Sequence, residues 1–414
     1  MARSTKLKAV ADNETPEVNI GGTVLDMKEL EKAGFSLLTD STYAVVDDFL
    51  PSGLPELDAT MGGGIPMKRI VQIFSGNGVG KSNFAINLIK SAQSMGVVTV
   101  MLDVEGTAEP SRLARMGVDP DKVLIKESAK ADPEGLSIES IGETLEAAID
   151  ILTKHNEPVL FIWDSVGQSI SRKTMQADFD NEQPGVQAKA ITKVMQKIAP
   201  KLSATNSALV VLNQIRDNIS MGFGGPAMGG PKFPGGRALE HVLSLNYQLG
   251  KAGDMKKGTE YMGHKVKFSN KKSKVSKPFQ KAEQFLYGDA GFNEMVNIIF
   301  TGEQLGFVKV STAGGRKVAV PDPETGEIVK YPYFDFLDEI ATKEGAEEFM
   351  YFLKPIFQKI VLSAFPDDFP PLHNKTIDVT KNPLYEGLAE LYVAKHAEEA
   401  TEEVTEELTE TEDD

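Results

Sequence analysis

Along this chain, short apolar runs alternate with stretches whose apolar residues recur at helical spacing. Residues 69–74, 97–102, 158–163 and 208–212 are the runs, each bounded by polar positions. Runs of that length and character predict strands buried on both faces. Between them, the segment after Lys81 carries Phe84, Leu88 and Ile89 with Ala85 and Ala92. Residues 138–152 are amphipathic, and 188–199 set Ile191, Val194, Met195 and Ile198 on one face. The pattern predicts an α/β fold, a mostly parallel central sheet covered by helices. Right-handed crossovers then bring the strand ends Asp103, Asp164 and Gln214 to one edge of the sheet.

The flanks read differently. Pro51, Gly53 and Pro55 punctuate a boundary after a small N-terminal region, residues 1–50, where only 25–33 has a helical pattern. A core of residues 51–335 follows, with a hairpin-like stretch at 242–290. Residues 344–364 predict a helix through Phe349, Phe352, Leu353, Ile356, Phe357 and Ile360, which Pro355 should kink or split. A further helix is expected within 376–396, making 336–396 a helical C-terminal region. Residues 397–414 predict a disordered acidic tail.

Composition narrows the classes. None of the 414 residues is cysteine, which excludes disulfides, thiolate metal sites and a cysteine nucleophile and fits a reducing compartment. Without an apolar run of membrane-spanning length, a cytoplasmic location and no membrane partner are expected. The formal charge is −16, yet residues 397–414 hold ten carboxylates and no base, leaving −6 for the rest. Residues 251–281 hold ten lysines against Asp254 and Glu260. A basic segment inside an acidic chain is what the whole-chain charge conceals, so that charge does not argue against nucleic acid.

The candidate chemistry begins where the first strand ends. Ser75, Gly76, Asn77, Gly78, Val79, Gly80, Lys81 and Ser82 follow the phosphate-loop pattern, with Ser75 where glycine is usual. Asn83 continues into the helix. Backbone N–H groups at a helix start cradle phosphates, Lys81 reaches the β- and γ-phosphates, and the Ser82 hydroxyl joins a Mg²⁺ shell. ATP and Mg²⁺ are therefore the expected cofactors; the plainer reading is a glycine-rich turn with an incidental lysine. Asp164, ending an apolar strand, fits a carboxylate acting on Mg²⁺, or else a turn cap. Glu105 is the best-placed carboxylate to orient and deprotonate water, or else a solvated loop residue.

From about Ser52 to Gly302 the sequence resembles the RecA family of strand-exchange ATPases, including the UvsX-like recombinases of tailed phages. The resemblance rests on Ser52-Gly-Leu-Pro-Glu-Leu-Asp58, Asp103-Val-Glu105, Met116-Gly-Val-Asp-Pro120, Trp163-Asp-Ser165, Leu212-Asn-Gln-Ile-Arg216, Gly235-Gly-Arg-Ala-Leu239 and Pro278-Phe-Gln-Lys-Ala-Glu283. It implies that Lys81 and Ser82 hold phosphate and Mg²⁺, Glu105 is the catalytic base, and Asp164 serves Mg²⁺ with Ser165 in support. It also implies that Gln214 senses the γ-phosphate. Arg112 stands where an aromatic residue often stacks on adenine, a role its guanidinium plane suits, and Glu109 is placed to accept the adenine amino group. Lys272 and Lys274 match a pair that reaches a neighbouring subunit's ATP, with Lys271 not separable from them by spacing.

Two segments leave the same sheet edge, residues 172–185 and 216–236. The second is rich in glycine and carries Met221, Phe223, Met228 and Phe233 with Arg216 and Lys232. Apolar side chains on such a loop suit insertion between bases, and cations hold phosphates without regard to sequence. An inter-subunit loop or plain connector is the other reading; the resemblance assigns both segments to DNA. It further implies a helical filament on single-stranded DNA that pairs it with duplex DNA, with residues 1–50 as the oligomerisation contact. A single-strand-binding protein and a loader are expected partners, in a bacterial or phage-host cytoplasm. The acidic tail suits either solubility or competition with DNA for basic surfaces. Two other classes share the phosphate loop: a ring-forming helicase with a RecA core, and a regulatory paralogue switched by ATP. Asn213-Gln-Ile-Arg216 and the 271–274 lysines disfavour the first, and the intact Lys81, Glu105, Asp164 and Gln214 the second.

Overall fold

The computed structural model describes residues 17–20, 23–37, 45–126, 135–152, 154, 157–176, 185–215, 236–322 and 325–410. The chain divides into two compact units, residues 1–45 and 46–414. In the first, β1 (Glu17–Ile20) pairs antiparallel with β2 (Thr23–Asp26), and α1 (Met27–Lys32) follows. Asp26 caps that helix by accepting the Lys28 N–H at 2.8 Å. The helix expected at 25–33 is thus shorter: Leu25 belongs to β2, and Asp26 and Ala33 are its caps.

The second unit opens with β3 (Phe49–Leu50), α2 (Pro55–Met61) and β4 (Ile65–Pro66), the two strands pairing antiparallel. The alternating core comes next: β5 (Ile70–Ser75), α3 (Lys81–Ser94), β6 (Val98–Asp103), α4 (Pro110–Arg115), β7 (Val123–Lys126), α5 (Ile138–Leu152) and β8 (Val159–Asp164). It continues through α6 (Arg172–Met175), α7 (Val186–Ser203), β9 (Ser207–Gln214) and α8 (Gly236–Val242). Then β10 (Leu245–Lys257), β11 (Glu260–Ser273) and β12 (Lys281–Tyr287) form the antiparallel meander expected at 242–290.

These strands make one eight-stranded sheet in the order β12-β11-β10-β5-β9-β8-β6-β7, parallel from β10 to β7. Its faces are separate cores because side chains alternate along each strand. Leu160, Ile162, Val210 and Leu212 pack with Phe84 and Leu88 of α3. Phe161, Trp163, Leu209 and Val211 pack on the other face with Ile141 and Leu145 of α5 and Ile191 and Met195 of α7. Both faces being covered explains why these strands read as unbroken apolar runs.

The remainder is α9 (Glu294–Gln304), a small sheet of β13 (Val310–Ser311), β14 (Lys317–Pro321) and β15 (Ile328–Pro332), then α10 (Tyr333–Ile340), α11 (Lys343–Glu348), α12 (Met350–Ala364) and α13 (Leu388–Glu410). The break expected at Pro355 falls instead at Phe349, between α11 and α12. Pro355 is tolerated because it and Tyr351, whose carbonyl loses its partner, are both on the exposed side. Within 376–396 only a single turn at Val379–Lys381 precedes α13, since Pro383 and Gly387 interrupt the pattern. Helix α13 runs through residues 397–410, where composition predicts a disordered tail. The C-terminal part is tied to the start of the core: Asn374 exchanges two 2.8 Å hydrogen bonds with the Phe49 backbone.

One buried carboxyl in this frame is electrostatically costly. Asp58 is fully buried, accepting the Ser52 N–H at 2.9 and 3.1 Å. Burial, reinforced by the nearby Glu294 charge, pushes its pKa up to about 7. The folded protein therefore binds a proton that the unfolded chain releases near pH 4. Stability from this group is full below that pH and is lost as pH rises through about 7, on the order of 4 kcal/mol. Asp58→Asn is expected to gain stability relative to the parent chain as pH is raised from 4 to 8, measured by denaturant unfolding of both proteins across that range.

Candidate nucleotide site

The site is assembled by strand register. Asp103 lies opposite Asp164 across β6 and β8, and Ser75 opposite Gln214 across β5 and β9. The phosphate loop then leaves β5 with Gly78 and Gly80 at φ of 69° and 119°, left-handed values that glycine adopts without strain. A side chain at Gly80 would also press on Leu286, 3.1 Å away. Ser75 needs no such freedom: it is the last residue of β5, in strand conformation, so the departure from glycine is sterically neutral. Its hydroxyl donates to the Gly76 carbonyl at 2.6 Å and accepts from Lys81 Nζ at 3.3 Å. Lys81 also donates to the Gly76 carbonyl at 3.2 Å. Burial pulls the Lys81 pKa down, and the Asp164 and Glu105 charges pull it back up.

A cleft of about 350 Å³ opens here, lined by the loop from Asn77 through Asn83 except Val79, with Glu105, Arg112, Gln168 and Gln214. Glu105 is its hub. One carboxylate oxygen accepts from Ser165 Oγ at 2.7 Å and from Gln214 Nε2 at 3.0 Å. The loop bearing Glu105 is shaped by Asp103, whose two oxygens accept the Gly106 and Ala108 N–H groups, each at 2.9 Å. Ser82 Oγ donates to Asp164 Oδ2 at 2.8 Å. Burial, together with the Glu105 and Asp103 charges, raises the Asp164 pKa to about 6, against the Ser82 hydrogen bond and Lys81. Its Oδ1 is buried without a hydrogen-bond partner, an orphaned oxygen that a cation bound by Ser82 and Asp164 would satisfy. Among the described residues no cluster of three acidic or histidine side chains forms a metal site. Such an ion would therefore take its other ligands from phosphate and water.

Arg112 is fixed beside the cleft by Asn83, whose Oδ1 accepts from Nη2 at 2.7 Å. Glu109 stands just before α4 without a side-chain cap, its carboxylate taken by Ser111 Oγ, and does not line the cleft. Val79 contributes backbone, its carbonyl 3.3 Å from His264 Nε2 on β11.

Residues 25–293 match the family described as RecA N-terminal domain. The chain belongs to the RecA family. It is similar to Protein RecA of Aquifex pyrophilus, at 31% identity over 63% of this chain and 71% of that protein. Protein RecA of Aquifex aeolicus is 29% identical over 78% and 87%, and that of Thermus aquaticus 27% over 73% and 89%. As a RecA-family protein the chain is a DNA-dependent ATPase that acts in DNA recombination.

Measured against that family, the lysines are informative. Lys272 pairs in register with Asn246, and Lys274 N donates to the Ser244 carbonyl, while Ser244 N donates to Ile70 O. They stand beside the start of β5, whereas the cleft opens at its end, roughly 16 Å further along the strand. Neither they nor Lys271 line the cleft of their own chain. Lys272 instead donates to the Glu240 carbonyl, and Lys274 to the His241 carbonyl at 2.9 Å, at the end of α8. Burial, with the Lys274 charge, lowers the Lys272 pKa. Of the two segments expected at DNA, 177–184 and 216–235 lie outside the described residues; Arg172–Met175 forms α6. Gln168 is the cleft residue that sequence reasoning missed; its one signal was its place just beyond Trp163-Asp164-Ser165.

Arg112→Ala is expected to raise the KM for ATP about tenfold through loss of stacking, with Arg112→Tyr restoring most of it; steady-state phosphate release at varied ATP checks both.

Proposed function

We propose that this chain forms helical filaments on single-stranded DNA and promotes homologous pairing and strand exchange, with ATP hydrolysed by the residues of the Glu105 cleft. One juxtaposition carries the reading: Gln214, hydrogen-bonded to Glu105, is followed by Arg216 and the glycine-rich segment assigned to DNA. A terminal phosphate in the cleft competes for the Gln214 amide, drawing it from Glu105 and shifting the residues after it. ATP occupancy and DNA grip are thereby one equilibrium.

The roles follow from chemistry. Loop N–H groups from Gly76 to Ser82 and the Lys81 ammonium bind phosphate oxygens. Glu105 takes the proton from the attacking water, oriented by Ser165. Ser82 and Asp164 would hold Mg²⁺, which neutralises charge on the phosphates. Arg112 packs on the base. Lys272 and Lys274, remote from their own cleft, serve the cleft of the next protomer, where cations stabilise the leaving phosphoryl charge. A head-to-tail repeat of that contact builds an open filament, with residues 1–50 as its donor. Such a filament works with a single-strand-binding protein and a loader in the cytoplasm; no helix among the described residues is long and apolar enough to cross a membrane.

Lys81→Ala is expected to abolish turnover. Glu105→Gln should still bind ATP while DNA-stimulated phosphate release falls by about 10²-fold or more; normal release by Glu105→Gln would refute the base assignment. Lys272→Ala/Lys274→Ala should lose DNA-stimulated hydrolysis yet bind nucleotide as a monomer, tested by nucleotide titration beside the same assay. Negative-stain images with ATP and single-stranded DNA should show filaments, where rings would point to a helicase.

A further inference from the structure

The turn after β8 brings to the cleft a carboxamide that the roles assigned so far leave unused. Gln168 lines the cleft with Lys81, Glu105 and Gln214, and its side chain has no hydrogen-bond partner among the described residues. The backbone beneath it is held firmly. Gln168 N donates to the Ser165 carbonyl at 3.2 Å. Ser169 Oγ donates to that same carbonyl at 3.0 Å and accepts from Trp163 Nε1 at 2.9 Å. Trp163 and Ser169 are completely buried. Gln187, in the first turn of α7, donates Nε2 to the Ser169 carbonyl at 2.8 Å and to the Gly167 carbonyl at 3.4 Å. One amide therefore clamps the carbonyls on both sides of Gln168. The turn also begins at Ser165, the residue that holds Glu105.

Gln168 is solvent-exposed, so its carboxamide gives up no internal hydrogen bond to bind a ligand, and the immobilised turn fixes the backbone from which it reaches into the cleft. A carboxamide offers two donors and an acceptor, so it suits a phosphate oxygen and a water together, which neither Lys81 nor Glu105 can serve alone. Resting on the reading of this cleft as the ATP site, we infer that Gln168 is a second terminal-phosphate amide beside Gln214, touching the γ-phosphate and the attacking water. Gln187 is the positioning residue that sets its turn.

The test uses the full chain with Gln168→Ala, Gln168→Glu and Gln187→Ala, and Glu105→Gln run in parallel. Affinities for a non-hydrolysable ATP analogue and for ADP are measured with DNA-stimulated phosphate release. Gln168→Ala is expected to weaken the triphosphate analogue about tenfold with ADP binding unchanged and to lower kcat by a similar factor. Gln168→Glu should be worse for the triphosphate alone, since it sets a negative charge against phosphate. Gln187→Ala should give the alanine pattern in smaller measure. Unchanged triphosphate affinity in Gln168→Ala, or an equal loss for ADP, overturns the inference. If either result accompanies an inert Glu105→Gln, only this inference fails; if Glu105→Gln hydrolyses normally, the reading of the cleft fails first.

Discussion

The nucleotide cleft depends on the parallel register of β5, β9, β8 and β6. Four strands buried on both faces end in step, so Ser75, Gln214, Asp164 and Asp103 share one edge although they are far apart in the chain. A slip of one residue would turn every side chain to the opposite face and scatter the set. The apolar runs that fill both cores therefore also determine the chemistry. Where each strand runs out stands a polar group that takes a partner: Ser75 with Lys81, Asp164 with Ser82, Gln214 with Glu105.

Gln214 is steadied by a line of amides across the middle of the sheet. The Asn213 side chain accepts the Gln214 N–H at 3.0 Å and donates to Gln72 Oε1 at 3.2 Å, and Gln72 Nε2 donates to Asn246 Oδ1 at 3.0 Å. Gln72 and Asn213 have no exposed surface, so each bond is made in a low-dielectric interior where losing one is expensive. Asn246 in turn faces Lys272 across β10 and β11. Buried polar bonds thus run from the Glu105 side of one cleft to the strand carrying the lysines assigned to the next. Those lysines rest on the last carbonyls of α8, the helix that follows the 216–235 segment, where cations complement the helix dipole. The end of β9, the middle of the sheet and the lysine-bearing strand β11 are thus linked through hydrogen bonds.

Periodicity made the core legible because its strands are apolar throughout and its helices amphipathic; the strands β5, β6, β8 and β9 lie within a residue or two of their expected positions. The phosphate loop was equally plain, since Gly80, Lys81 and Ser82 are contiguous. What was hidden is three-dimensional. Nothing in the spacing says that Glu109 would spend its carboxylate on Ser111, or that Arg112 would be braced by Asn83. Pro355 misled because its effect turns on exposure, which the helical pattern alone does not weigh. Gln168 carried no motif of its own, and its importance arises from a clamp by Gln187, nineteen residues on and across a segment without pattern. The buried acidic neighbours Asp58 and Glu294 were invisible for the same reason, being far apart in the chain.

The charges around Lys81 weigh against a bare phosphate in this cleft. Asp103, Glu105 and Asp164 converge on this end of the sheet, and their mutual repulsion with burial lifts the Asp164 pKa to about 6. Lys81 answers only part of that charge, being itself penalised by burial. A bare triphosphate would add further negative charge to carboxylates already destabilised by one another. Ser82 and Asp164 would hold a divalent cation, which would supply the orphaned Asp164 Oδ1 with a partner and offset the negative charge of phosphates. Glu105 is held apart from that pair by Ser165 and Gln214, the arrangement the proposed role on water calls for. The acidity of this edge of the sheet disfavours phosphate alone and would favour phosphate that arrives with a cation.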